Sequence, residues 1–321
     1  MNFVLRRLAV ALITLFLVSV LSFLAFSVIR GDPASLILGT EASAGQVAAL
    51  REEMGLNRSL PARYLVWLTG FLTGNLGNSV RYRGESISAM IMDRLPVSFA
   101  LALLSLFFIL LIAIPVSLFS VRREEGIADR LVNAFTALSV SVPGFFLGVL
   151  FIWIFGIGAR LFSPGVYIDY RISFAGFAAS LCFPALAIAI PNAAILIKFL
   201  RYSLFKEQRS DYVRTARSKG GSWPLVLRRH ALRNALVPSI TVLGMIIAEV
   251  FSGSIVIEQV FTIPGIGRLL IAAITSRDYP LIQTLVVYIA AVVVIANTLV
   301  DITIQIIDPR IRLEGAEDDL H

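Results

Sequence analysis

LPVSFALALLSLFFILLIAIPVSLFSV, residues 95–121, continues for 27 positions without one charged side chain. A helix that crosses a bilayer core needs about 20 apolar residues, so this run reads as a membrane span. The same reading recurs on both sides of it. Leu8–Ile29, Leu131–Ala159 and Ile172–Ile197 are also free of charge, Ala235–Ile257 carries only Glu249, and Tyr279–Ile307 carries only Asp301. The expected fold class is therefore all-α, a polytopic membrane protein with six transmembrane helices. Composition agrees: 15% of the residues are charged, where soluble domains average about 25%.

The first run, at 22 residues, exceeds the apolar core of a signal peptide, which is about 7–15. No small-x-small cleavage pattern follows it before Arg30, so residues 1–30 read as an uncleaved anchor. The single cysteine, Cys182, lies within the fourth run, where no disulfide partner exists and a thiol serves as a small buried hydrophobe.

Charge orients the spans. With Arg6 and Arg7 inside, the cytoplasmic segments hold 17 Lys and Arg residues against 11 outside, and the long external segment 30–96 offsets its seven with six acids. Both termini are then expected in the cytoplasm, and the formal charge of +7 marks membrane orientation rather than nucleic-acid binding.

Residues 31–94 are expected to form an external helical insertion. Ser43 and Gln46 have the spacing of a capping box, Val47, Leu50 and Met54 share a face, and Gly55 suits the end of that helix. A second helix is expected from Ser59 with Pro61 in its first turn to Leu72, then a turn over Gly74–Asn78 and a helix from Ile87 to Leu95. Residues 95–307 form the membrane core and 308–321 a cytoplasmic tail. Within the spans, prolines 115, 143, 184, 191 and 238 each remove a backbone donor and favour a kink.

The longest cytoplasmic connection, residues 201–233, reads RYSLFKEQRSDYVRTARSKGGSWPLVLRRHALR and contains nine Lys or Arg against Glu207 and Asp211. Gln208–Ser218 suits a helix that Gly220-Gly221 stops. Tyr212, Val213 and Ala216 fall on one stripe among Arg209, Arg214, Arg217 and Lys219, and the small Ala216 lets a partner surface approach the backbone. Gly220 suits a left-handed helix end, Ser222 an N-cap and Pro224 a first helical turn.

Among polar groups in the spans, Glu249 is expected to face the interior between two subunits, because an intramembrane acid is costly against lipid. Asn297 and Asp301 lie one turn apart, and Asn192 adjoins Pro191. These four are the candidate pathway residues. Glu258 reads as structural. His230 has no second ligand at metal spacing, and no catalytic constellation or G-x-x-x-x-G-K-[ST] phosphate loop occurs. A channel or stand-alone secondary carrier predicts inverted repeats or paired central charges, and neither is evident.

The chain resembles the permeases of binding-protein-dependent ABC importers, in the dipeptide, oligopeptide and nickel branch. The resemblance rests on Arg6-Arg7, Gly31-Asp32-Pro33, Gly74-Asn75-Leu76-Gly77-Asn78-Ser79, Arg94-Leu95-Pro96 and Ser141-Val142-Pro143-Gly144-Phe145. Further along it rests on the run Asp211–Gly220, His230–Ala235, Glu258–Phe261, Pro264–Arg268, Arg277-Asp278-Tyr279-Pro280 and Asp308-Pro309-Arg310. Ala216, Gly220 and Leu236–Pro238 are similar to the EAA motif of that family. Two departures are evident: Arg214-Thr215-Ala216 lacks the motif's leading Glu, and Gly221-Ser222 replaces its Leu.

The resemblance implies a coupling helix with Asp211, Tyr212, Arg214, Thr215, Ala216, Lys219 and Gly220 at the ATPase contact. It also implies a location in the bacterial cytoplasmic (inner) membrane. The implied partners are a second, paralogous permease, two cytoplasmic ATPases and an external solute-binding protein, besides membrane lipid. No cofactor is expected on this chain, since ATP and Mg belong to the ATPases, and the chain itself is not an enzyme. Peptide is the expected solute, with nickel, glutathione or another small solute as alternatives.

Overall fold

Long apolar runs flanked by glycine and proline fold as helices here because a helix satisfies its own backbone hydrogen bonds in lipid. The computed structural model describes residues 2–28, 33–38, 42–53, 55–79, 81–82, 85–122 and 126–307. Gly31, Asp32, Met54, Asp308-Pro309-Arg310 and the tail 308–321 lie outside the described residues.

The helices are α1 (Asn2–Val28), α2 (Pro33–Leu38), α3 (Ala44–Glu53), α4 (Leu60–Thr73), α5 (Ile87–Arg122), α6 (Ile127–Ser141) and α7 (Gly144–Phe151), the last prolonged by π-turns to Gly158. They continue with α8 (Phe174–Gln208), α9 (Asp211–Ser218), α10 (Trp223–Val226), α11 (Leu232–Val260), α12 (Ile266–Ser276) and α13 (Tyr279–Ile307). Among the described residues the only β pairing is an isolated bridge between Asn78 and Ser86. The protein is an all-α polytopic membrane protein: five helices are long and apolar enough to cross a membrane, six if one bent pair counts as a span.

That bent pair is the expected third span. The run Leu131–Ala159 is not one rod, because α6 and the helix beginning at Gly144 meet at 99°. Pro143 is the cause. Its ring clashes with a helical predecessor, and Val142 accordingly sits at φ −98°, ψ 120°. The fourth run departs the other way. Charge ends its apolar stretch at Ile197, yet α8 continues to Gln208, because Leu200 and Leu204 keep the helical period and are fully buried.

Contacts divide the chain into two units, Met1–Val97 with Pro264–Ile295 and Ser98–Ile263 with Ala296–His321. In the first, Ile87, Ile91, Leu269, Leu281 and Leu285 form the core. The capping box is present: Ser43 N donates to Gln46 Oε1 at 3.0 Å and Gln46 N to Ser43 Oγ at 3.3 Å. Asp278 is fully buried at the start of α13. Its carboxyl accepts from Ser79 Oγ, from Arg81 N at 3.2 Å and from Leu281 N at 3.4 Å, so one side chain ties Ser79 and Arg81 to α13.

The second unit is built around α8, which packs against α6, α7 and α11. Glu258 is fully buried there and accepts from Ser98 Oγ at 2.6 Å, a structural placement. Cys182 is only half-buried. Helix α11 meets α13 at Gly244, where a Cβ would lie 2.4 Å from Val300 Cγ1. Valine is stiff at χ1 and yields little. Gly244→Val is therefore expected to destabilise the chain by about 1–3 kcal/mol. Val300→Ala should recover most of that in a double variant, as thermal unfolding in detergent will read.

Candidate functional site

The connection between α8 and α11 owes its shape to three local devices. Ser210 opens α9 with extended backbone, φ −73° and ψ 150°, and its Oγ donates back to the Glu207 carbonyl at 2.6 Å. Gly220, at φ 86°, takes the left-handed conformation that a side chain would oppose. Gly221 N then donates to the Ala216 carbonyl at 3.2 Å and Gly220 N to the Arg217 carbonyl at 2.9 Å, the paired bonds of a Schellman helix end. Ser222 and Pro224 start α10, which continues through π-turns at Leu227–Ala231 into α11.

Beneath this hairpin lies a closed apolar cluster of Val121, Leu200, Leu204, Val213, Val226, Leu227, Ala231 and Ala235, with Ala216 and Trp223 packed on its rim. The stripe expected to meet a partner is therefore split. Val213 is 1% exposed and Ala216 is half-buried against the chain's own interior. A Cβ on Gly221 would lie 2.9 Å from the Ala216 carbonyl, so both small residues serve this helix end. The face that remains open consists of Asp211, Tyr212, Arg214, Thr215, Arg217, Ser218, Lys219 and Gly220.

Several contacts stiffen that face. Tyr212 Oη donates to Glu207, and partial burial, then that bond, holds the phenol above its ordinary pKa and so protonated. Arg217 stacks its guanidinium 5.0 Å from the centre of the Trp223 ring. The Asp211–Arg214 pair, at 3.7 Å, is fully solvated and adds little.

A second lock, which the sequence did not reveal, fixes the end of α8. Arg201 Nη2 lies 2.6 Å from Asp129 Oδ1, with both side chains largely buried, and Arg201 also donates to Asn133. Ser120 Oγ donates to the same Asp129 oxygen at 2.5 Å, so α5, α6 and α8 share one charged node. No spacing rule connects Asp129 to Arg201. The available signal was the lone acid in the first turn of α6.

The four candidate pathway residues have different surroundings. Asn192 is 5% exposed, with Nδ2 donating to the Ile188 carbonyl at 2.9 Å. Glu249 and Asn297 are exposed, and Asp301 is half-buried. Glu249 belongs to a longer series. On α11 the exposed positions Pro238, Thr241, Met245, Glu249, Ser252, Val256 and Gln259 recur every three or four residues and so form one face, mostly polar. The exposed stripe of α5, with Phe99, Leu103, Phe107, Leu111 and Phe119, is apolar throughout.

Comparison with known proteins agrees along nearly the whole chain. Residues 110–313 match the family described as binding-protein-dependent transport system inner membrane component, and residues 1–102 match the N-terminal family of such membrane components. A probable peptide ABC transporter permease protein, y4tP, of Sinorhizobium fredii is 36% identical over 97% of this chain and 99% of its own length. A putative peptide transport system permease of Brucella abortus is 36% identical with the same coverage. The oligopeptide transport system permease protein AppB of Bacillus subtilis is 33% identical over 97% of this chain and 99% of its own.

Proposed function

Since the chain belongs to the family of binding-protein-dependent transport system inner membrane components and is a multi-pass inner-membrane protein, we propose that it forms half of a peptide pathway powered by cytoplasmic ATPases docked on α9. The carrying observation is the hairpin itself. It presents an open polar face on a rigid, fully packed base, and that base continues without a loop into α11. A push on α9 is transmitted to a membrane helix through packed elements that shift between discrete arrangements.

The remaining partners are a second, paralogous permease and an external solute-binding protein, with ATP and Mg held by the ATPases. Both termini and α9 lie in the cytoplasm, and residues 31–94 lie outside. Peptide is the solute because the named relatives are peptide permeases. The test of the coupling is ATP-dependent peptide uptake by the reconstituted complex: uptake by this chain without ATPases would overturn it.

The polar face of α11 lines the pathway. Polar groups at membrane depth are costly against lipid and are tolerated beside water or protein. Glu249 is the sole charge on that face, so it attracts the ammonium end of a peptide. Glu249→Gln is expected to lower uptake of peptides with a free amino terminus several-fold. Uptake of amino-acetylated peptides and nucleotide-stimulated ATPase activity should stay unchanged. Equal losses for both peptide classes would remove the charge role.

A further inference from the structure

The first unit contains a cavity of about 430 Å³ between α1, α4 and the start of α13. That volume lies within the range of about 300–1,000 Å³ typical of ligand sites. Its place in the fold is defined by the spans. Ser27, the last residue of the apolar span Val4–Ser27, lines it, as does Tyr279, the first residue of the span Tyr279–Thr303. The cavity thus sits at the level where hydrocarbon gives way to water.

Its walls divide accordingly. Phe23, Trp67 and Phe71 form a continuous aromatic wall, with ring centres 6.2 Å apart for Phe23–Trp67 and 5.6 Å for Trp67–Phe71. Tyr64 stands edge-on to Phe23 at 5.4 Å, the kind of aromatic belt found at membrane interfaces. Arg58, exposed, and Arg63, half-buried on the same helix as Trp67 and Phe71, also line it, and neither side chain has a hydrogen-bond or ion-pair partner among the described residues. Gln283 also lines the cavity, 9% exposed, and its Nε2 donor has no partner among the described residues. A buried amide donor without an acceptor is costly unless something completes it.

Two free guanidinium groups and an orphan amide donor ask for an acceptor-rich anion, and the aromatic wall beside them asks for a hydrocarbon chain. We propose that this cavity binds an anionic phospholipid from the surrounding leaflet. Its phosphate lies at Arg58 and Arg63, a turn of the Gln283 side chain brings the enclosed Nε2 to a phosphate or ester oxygen, and an acyl chain lies along Phe23 and Trp67. Arginine forks suit phosphate oxygens, and basic pockets between membrane helices hold acidic headgroups. The occupant is independent of the transported solute and of the ATPase contact.

Native mass spectrometry of the intact importer complex, exchanged into equimolar phosphatidylglycerol and phosphatidylcholine, tests this. The wild type is expected to keep one phosphatidylglycerol with about tenfold preference, and Arg58→Ala/Arg63→Ala to lose that preference. Arg58→Lys/Arg63→Lys should retain part of it, which separates charge recognition from misfolding. Equal retention of both lipids by the wild type, or an undiminished adduct in the Ala/Ala variant, overturns the proposal. Displacement of the lipid by millimolar glycerol phosphate would instead identify a site for free phosphate esters and overturn the lipid assignment.

Discussion

Thr215→Arg is expected to lower ATP-driven uptake at least about thirtyfold while the chain remains folded and inserted, the loss produced by spoiling the centre of a docking surface. Thr215 is exposed midway along α9, its Oγ1 donates only to the Asp211 carbonyl at 2.9 Å, and it contributes nothing to the apolar cluster below. An added long cation therefore disturbs the partner and spares the base. Substitutions at Ala216 and Gly220 are poorer tests. Gly220→Asp forces a side chain into φ 86°, and Ala216→Glu places a carboxyl against the chain's own core, so both damage the hairpin before any partner is involved. The readouts are uptake, ATPase co-purification and a melting curve. Full uptake with an arginine at 215 would show that α9 is not the contact.

Asp278→Ala is expected to cost about 2–4 kcal/mol, the largest single loss of stability foreseen for the first unit. The substitution strands Ser79 Oγ and the Arg81 amide and removes an acceptor from the first turn of α13. Asp278→Asn, which keeps an acceptor, should lose less. Limited proteolysis supplies a local readout, with cleavage near residues 79–86 appearing at lower protease concentration in the alanine variant. An unchanged melting temperature together with unchanged cleavage would mean that Asp278 is not the pin.

Helices were legible in the sequence wherever the physics is local. Uninterrupted apolar runs gave the spans, Ser43 and Gln46 gave the start of α3, and Gly220 gave the end of α9. The outcomes that differed depend on contacts between distant residues. Proline at 143 predicts a kink, but its size, 99°, goes with the packing of both α6 and α7 on α8. The stripe Tyr212, Val213 and Ala216 is compatible with either an inward or an outward face. Burial of Val213 by Leu200, Leu204 and Val226 chooses inward, which moves the candidate contact to the charged side of α9. Helix α12 went unseen because its 11 residues are too short for a span and follow a proline-glycine turn.

The nodes at Asp129–Arg201 and Asp278–Ser79 were beyond sequence reasoning for a related reason. Each joins polar residues far apart in the chain, and neither partner carries a pattern that points to the other. Arg277-Asp278-Tyr279-Pro280 and Gly77-Asn78-Ser79 both stood out as motifs, yet nothing in either states that the aspartate of one receives the hydroxyl of the other.

Docking of the ATPase on α9 is read out by a single cysteine at position 215 in a Cys182→Ser background. Photo-cross-linking through a maleimide-benzophenone attached to that cysteine is carried out on the purified complex with and without nucleotide. A covalent adduct between this chain and an ATPase subunit is expected, with a yield that changes on nucleotide binding. An adduct from a cysteine at Arg233 with none from position 215 would contradict it.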